Sequence, residues 1–186
     1  MPRLTPPDVR FHRSFLEAVA EFIAESEEGP RFAGLGVLAA VGSFPGEVFT
    51  ADELRQVSTF SAYVERLHEV GLPETALPPG IVPSTTLWWA QGEEYLGRLS
   101  IRHRLTPWLL DFGGHIGYAV RPSARGRGHA TAMLAAALPQ AAAMGIDSVL
   151  VTCDATNLAS RSVIEANGGV LEDQRAEKLR YWLATT

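Results

Sequence analysis

The stretch from Ile116 to Asp154 constrains the fold more than any other part of this 186-residue chain. It reads as an apolar strand (IGYAV), a loop rich in Arg and Gly (RPSARGRG), an alanine-rich helix, and a second apolar strand, SVLVTCD at 148–154. Strand, crossover helix and strand form a βαβ unit, so the two strands are expected to be parallel with a right-handed connection. The segments before it follow a different rule. TTLWWA, YLGRLSIRHRL and GGHIGYAV succeed one another through QGEE and TPWLLDFGG, the pattern of an antiparallel meander. The fold class is therefore α/β (α+β by some criteria): a mixed, mostly antiparallel twisted sheet flanked by helices, with one parallel pair. That mixture is uncommon, and hence diagnostic.

The remaining pattern fits around this unit. Phe11 to Glu25 places Phe15, Leu16, Val19, Phe22 and Ile23 on one helical face, and EEGP at 27–30 ends it. Residues 31–50 read as loop, and a second amphipathic helix is expected from about Ala51 to Val70, stopped by Gly71. Pro73 to Pro83 is a connector too short to separate two domains, so residues 1–186 are read as one domain. The alanine-rich helix should run from about Gly128 to Met144, kinked at Pro139 and capped by Gly145. NLASRSVIEAN at 157–167 reads as a helix closed by Gly168 and Gly169, and LRYWLA at 179–184 as a final strand.

Charge narrows the partners. A net charge of −5 disfavours a sequence-independent nucleic-acid binder, although Arg121, Arg125 and Arg127 leave one local basic cluster. The single cysteine, Cys153, allows no internal disulfide and fits a reducing compartment. With neither a signal-like apolar stretch at the N-terminus nor an eighteen-residue apolar run, the expectation is a cytoplasmic protein without membrane attachment.

The loop itself carries the chemistry. Gly126 and Gly128 stand just before a helix N-terminus, where unpaired N–H groups and the peptide dipole favour an anion, usually a phosphate. A Rossmann fingerprint fails because Thr131 occupies the third glycine position and five residues separate the strand from the first glycine. A Walker A loop fails for want of its lysine.

Arg125-Gly126-Arg127-Gly128-His129-Ala130 instead matches [RQ]-x-x-G-x-[GA], and resembles the pyrophosphate loop of the GNAT N-acetyltransferase superfamily. Val120-Arg121-Pro122-Ser123 before it and Asn157-x-x-Ser160-x-x-x-x-Glu165-x-x-Gly168 after it resemble the family's flanking segments, in register over about residues 84–184. The segments SIRHRL, GGHIGY and LRYWL resemble a bacterial branch of that superfamily. The resemblance implies acetyl-CoA (coenzyme A) as cofactor, with its pyrophosphate held by residues 125–131, namely Arg125, Gly126, Arg127, Gly128, His129, Ala130 and Thr131. It implies that Tyr118, Ala119 and Val120 form a bulged strand bonding the pantetheine arm, and that Asn157 touches the cofactor between splayed strands; an N-cap is the plainer use of Asn157. No metal is expected. The implied activity is acetyl transfer to a primary amine by direct attack in a ternary complex. The acceptor is then a small molecule or a protein N-terminus, with a homodimer as the further partner expectation. A catalytically weak CoA-binding regulatory module is the other reading.

Two departures from the family bear on mechanism. Ile164 stands where many members carry a tyrosine that protonates the departing thiolate, and Gly169 replaces the usual aromatic residue. For the base, His115 at the head of the central strand has a suitable intrinsic pKa. A structural histidine bonded to the neighbouring strand near His103, or a water relay to Glu93, Glu94 or Asp111, are the alternatives. Cys153 is either an acyl-accepting nucleophile or a small buried hydrophobe. Trp88, Trp89, Trp108 and Trp182 either line a substrate pocket or pack the core.

Overall fold

The parallel pair forms where the βαβ pattern places it. The computed structural model describes residues 1–27, 43–44 and 47–186. Its main sheet consists of β1 (Arg3–Thr5), β2 (Ser84–Gln91), β3 (Glu94–Arg102), β4 (Ile116–Val120), β5 (Ser148–Asp154), β6 (Val170–Arg175) and β7 (Lys178–Ala184). The strand order is β1-β2-β3-β4-β5-β7-β6, antiparallel throughout except for β4 and β5. Four α-helices accompany it among the described residues: α1 (His12–Glu27), α2 (Val57–Glu69), α3 (His129–Ala143) and α4 (Leu158–Ala166).

The sheet separates two chemically different cores. On one face, Phe11, Phe15, Phe60 and Tyr63 close over Trp88 and Tyr95 in an aromatic cluster with ring centroids 5.2–6.2 Å apart. On the other, Met133, Leu134, Ala137 and Ala141 of α3 pack on Val149, Val151 and Leu183. Trp88 and Trp89 go to different clusters, as the alternation of side chains along a strand requires. The tryptophan question is thus divided. Trp88 and Trp89 are core, whereas Trp108 is 64% exposed on the turn after β3.

Several elements differ from the sequence expectations. The second helix is interrupted: Gln56 is extended (φ −78°, ψ 124°) and separates a 3-10 turn, Glu53–Arg55, from α2. Of the segment expected as loop, 31–42 and 45–46 lie outside the described residues, as does most of the expected helix stop at 27–30, while Ser43–Phe44 pairs with Glu47–Val48 in a short ribbon. β1 and β6 have no counterpart in the expectations. β6 (VLEDQR) is an edge strand that buries little, so its composition shows no apolar run. TPWLLDFGG contains a helical turn, Leu109–Gly113. α3 runs unbroken through Pro139, and its end follows the capping expectation. Gly145 is left-handed at φ +80°, its N–H bonds to Ala142 O, and Ile146 N–H bonds to Ala141 O.

What positions the site is how briefly β4 and β5 stay together. One registered pair joins them, Ile116 with Val151. Just before it, His115 N–H bonds to Leu150 O at 2.7 Å, and Leu150 N–H donates to the His115 Nδ1 at 2.9 Å. Beyond Ile116 the ladder stops and a gap opens.

Candidate active site

A cavity of about 390 Å³ lies at that gap. Its walls are Tyr118, Ala119 and Val120 of β4, Ala124, Arg125, Gly126 and Gly128 of the loop, and His129, Ala130 and Thr131 at the start of α3. Asn157, Ala159, Ser160 and Val163 close it from α4, and Phe22 from α1. Of the expected cofactor residues Arg127 falls outside this lining, and so does His115, the expected base. Arg127 is exposed on the loop. Phe22, Ala124, Ala159, Ser160 and Val163 were not among the expected site residues. Ser160 was legible in the Asn-x-x-Ser spacing; Phe22, far away in sequence, carried no local signal.

The loop meets the cavity with backbone. Gly126 (φ +74°) and Gly128 (φ +78°) adopt left-handed angles that other residues rarely take, and a Cβ at either would meet nothing within 4 Å. The glycines therefore serve the chain's path and leave open space beside it. Gly128 is the N-cap of α3 and offers no side-chain cap; Ala132 N–H to Gly128 O, at 3.0 Å, is the first helical bond. The N–H groups of His129, Ala130 and Thr131 thus have no partner within the helix. At the N-terminus of α4 the matching position is closed: Asn157 Oδ1 accepts the Ser160 N–H at 3.0 Å. The N-cap use of Asn157 is therefore realised on a residue that also lines the cavity.

β4 presents backbone as well. Arg121 N–H bonds to Leu96 O and Arg102 N–H to His115 O, so odd-numbered residues of the strand face β3. Alternation then turns the N–H and C=O groups of Tyr118 and Val120 toward the gap. Val120 O accepts from Arg125 Nε at 3.0 Å. The expected bulge is absent from this strand: β3 and β4 pair without a shift from Ile116 to Val120, and register shifts lie instead between Trp89 and Ala90 and between Leu171 and Asp173. The Tyr118 hydroxyl sits 2.8 Å from Ser160 Oγ, and burial pushes its pKa up to about 12, so the phenol stays protonated at neutral pH.

His115 sits between two strands. Its Nδ1 already accepts the Leu150 N–H, so in the neutral ring the proton resides on Nε2, and a second ring proton would have to displace that bond. Burial, then the nearby Arg102 guanidinium, hold its pKa below the ordinary 6.5. The imidazole fastens β5 to β4 through Nδ1 and lies outside the cavity lining. The cross-strand alternative holds, with Leu150 rather than His103 as partner; His103 bonds Thr85. Cys153 is buried with its pKa raised by burial, the environment of a small hydrophobe. Ile164 is fully buried, and its side chain occupies the space a Cβ on Gly169 would need, at 2.5 Å. The position where the family often has its tyrosine is here a core position. Asp111 pairs with Arg175, and Glu93 in the β2–β3 turn and Glu94 at the start of β3 are exposed.

The first helix holds the loop in place. Glu21 accepts from Arg121 Nε at 3.0 Å and Nη2 at 2.5 Å, and from the Ser123 N–H and hydroxyl at 3.0 and 2.8 Å. Arg121 also donates to Tyr95 O and Ser14 Oγ. Burial alone would raise the Glu21 pKa, but the hydrogen bonds from Arg121 and Ser123 outweigh it and hold the carboxyl below its ordinary value.

Comparison with known proteins places this geometry. The family model described as "Acetyltransferase (GNAT) domain" matches residues 77–170. Among solved structures, the chain is similar to the microcin C7 self-immunity acetyltransferase MccE in complex with acetyl-CoA and AMP. That match has a TM-score of 0.61 at 11% identity, covering 97% of this chain and 91% of that one. It is similar to Mycobacterium smegmatis RimJ in complex with CoA-disulfide, at 0.61 and 20% identity over 97% and 80% of the two chains. RimL, a ribosomal L7/L12 alpha-N-protein acetyltransferase, in complex with coenzyme A, gives 0.60 and 18% over 97% and 92%. At these identities the likeness is one of fold. A comparison with curated protein sequences gave no match.

Proposed function

The chain belongs to the GNAT acetyltransferase family, and on that footing we propose that it moves an acetyl group from acetyl-CoA to a primary amine by direct attack in a ternary complex. The observation that carries this reading is the uncapped N-terminus of α3 opening into a cavity where two parallel strands part. Anionic phosphates fit that end because the N–H groups of His129, Ala130 and Thr131 are unpaired within the helix and the dipole favours negative charge. The room beside Gly126 and Gly128 suits a close-lying pyrophosphate. Acetyl-CoA supplies an activated thioester; the remaining work belongs to the protein.

That work is positioning and polarisation. The Tyr118 N–H, turned into the gap, is the donor we assign to the acetyl carbonyl oxygen, where fixed donors typically contribute a few kcal/mol to the transition state. The gap between β4 and β5 lets an extended arm lie where a strand would otherwise bond. His115 enters as the group that ends this gap by fastening β4 to β5, rather than as a base. With acetyl-CoA bound, the amine nitrogen would bond to the carbonyl carbon as the carbon–sulfur bond breaks, the nitrogen's proton going to water and the departing thiolate taking one from water.

The test is thiol release from acetyl-CoA in the presence of small primary amines, peptides with free α-amino groups, and the same peptides already acetylated. Release with small amines alone identifies a small-molecule enzyme, and release with free-ended peptides alone identifies a protein N-terminal acetyltransferase. Calorimetric binding of coenzyme A without release with any acceptor would replace the enzyme reading with that of a binding module.

A further inference from the structure

Given a coenzyme A site in this cleft, we infer that Arg125 is a positioning residue, a strut held by Glu25 that sets the path of the loop, rather than a phosphate ligand. The arginine of the loop motif is the natural candidate for a phosphate contact, yet its geometry points away from that task. Nη1 and Nη2 make a two-point bond to the Glu25 carboxylate at 2.5 and 3.0 Å, and Nε donates to Val120 O at 3.0 Å. The guanidinium also lies 5.8 Å from the Phe22 ring centroid. Each guanidinium nitrogen thus has an acceptor on α1 or β4. The pairing repeats at matched spacing. Glu21 and Glu25, one helical turn apart on α1, take Arg121 and Arg125, four residues apart in the chain.

The two arrangements make opposite demands on Glu25. A phosphate gripped through the second N–H that each Nη carries would lie beside the Glu25 carboxylate, anion against anion. As a strut, Arg125 instead shields the incoming phosphates from Glu25. Removing the arginine alone should then harm binding chiefly by exposing an unpaired carboxylate at the mouth of the site. Removing both charges should undo the harm.

The experiment is calorimetric titration with coenzyme A of the wild type, Arg125→Gln, and Glu25→Gln with Arg125→Gln, each checked for thermal unfolding. The single variant is expected to bind at least tenfold more weakly, and the double variant to return to within threefold of wild type. A double variant that stays more than threefold weak, or an Arg125→Gln protein with wild-type affinity, overturns the proposal. Glu25→Gln alone leaves the arginine in place and serves if Arg125→Gln does not fold. Loosening the strut should weaken binding about threefold, and unchanged or tighter binding overturns the proposal. A wild type that binds no coenzyme A sinks the cofactor reading itself, an outcome distinct from these.

Discussion

Two helix N-termini meet at the cavity, and the chain treats them differently. α4 begins with Asn157, whose side chain bonds the Ser160 N–H, so its positive end is already answered from within the protein. α3 begins with Gly128, which has no side chain to answer with, and its preceding loop is threaded through left-handed angles. Both ends carry the same dipole, yet only the uncapped one is prepared for an outside anion. Of the two ends, the cavity meets one with a side-chain cap and one without.

The sharpest way to break this contrast is to supply the missing cap. Gly128→Asp would place a carboxylate at the head of α3, and coenzyme A affinity is expected to fall at least 100-fold, roughly 2.8 kcal/mol, by calorimetry. Affinity within threefold of wild type would mean that the phosphates lie elsewhere.

Next in size is the anchor beneath the loop. Glu21→Ala leaves the buried Arg121 guanidinium without its carboxylate and should cost about 3 kcal/mol, lowering Tm by roughly 6–12 °C. Because the folded Glu21 pKa lies below its ordinary 4.5, this contribution is present above that value and is lost as pH falls through the folded pKa. The gap in Tm between wild type and variant should therefore narrow in acid. A constant gap from pH 7 to pH 3 would contradict the ion pair's role.

His115 gives a control at the closed end of the same strand. His115→Ala orphans the Leu150 N–H and should cost about 1–2 kcal/mol while coenzyme A affinity stays within threefold. A histidine whose folded pKa is depressed makes the wild type lose stability as pH drops below 6.5, and this slope should disappear in the variant. A thousandfold loss of turnover with normal folding and binding would restore His115 as the base.

The smallest effect is expected at the capped helix. Asn157→Ala should lower stability by about 1 kcal/mol, and thus Tm by roughly 2–4 °C, with coenzyme A affinity within threefold. A tenfold loss of affinity would show that Asn157 is a ligand before it is a cap.

The fold and much of the cleft were legible in the sequence because both rest on local signals. Glycines at 126 and 128, an alanine-rich helix and β-branched residues at 148–154 fix backbone conformation over a few residues, and the βαβ crossover follows. What the sequence could not show depends on pairings across the chain. Nothing near His115 in the sequence reveals that its ring accepts the Leu150 N–H, a bond made across the sheet. Arg125 likewise carries no local sign of its partner Glu25, which lies one hundred residues away. β6 was missed for the opposite reason, as an edge strand needs few apolar residues and shows little period.

That span of one hundred residues between Glu21 and Arg121 also has a meaning in time. A helix near the start of the chain must wait until the meander and the loop have been made before its two carboxylates find their arginines. Contacts so distant in sequence form slowly, since a long loop must close before any of them is rewarded. The loop and helix α3 can take shape early from local bonds alone, but their seat against α1 comes late. The site is therefore completed at the end of folding, and coenzyme A added to refolding protein is expected to slow unfolding without hastening the first collapse.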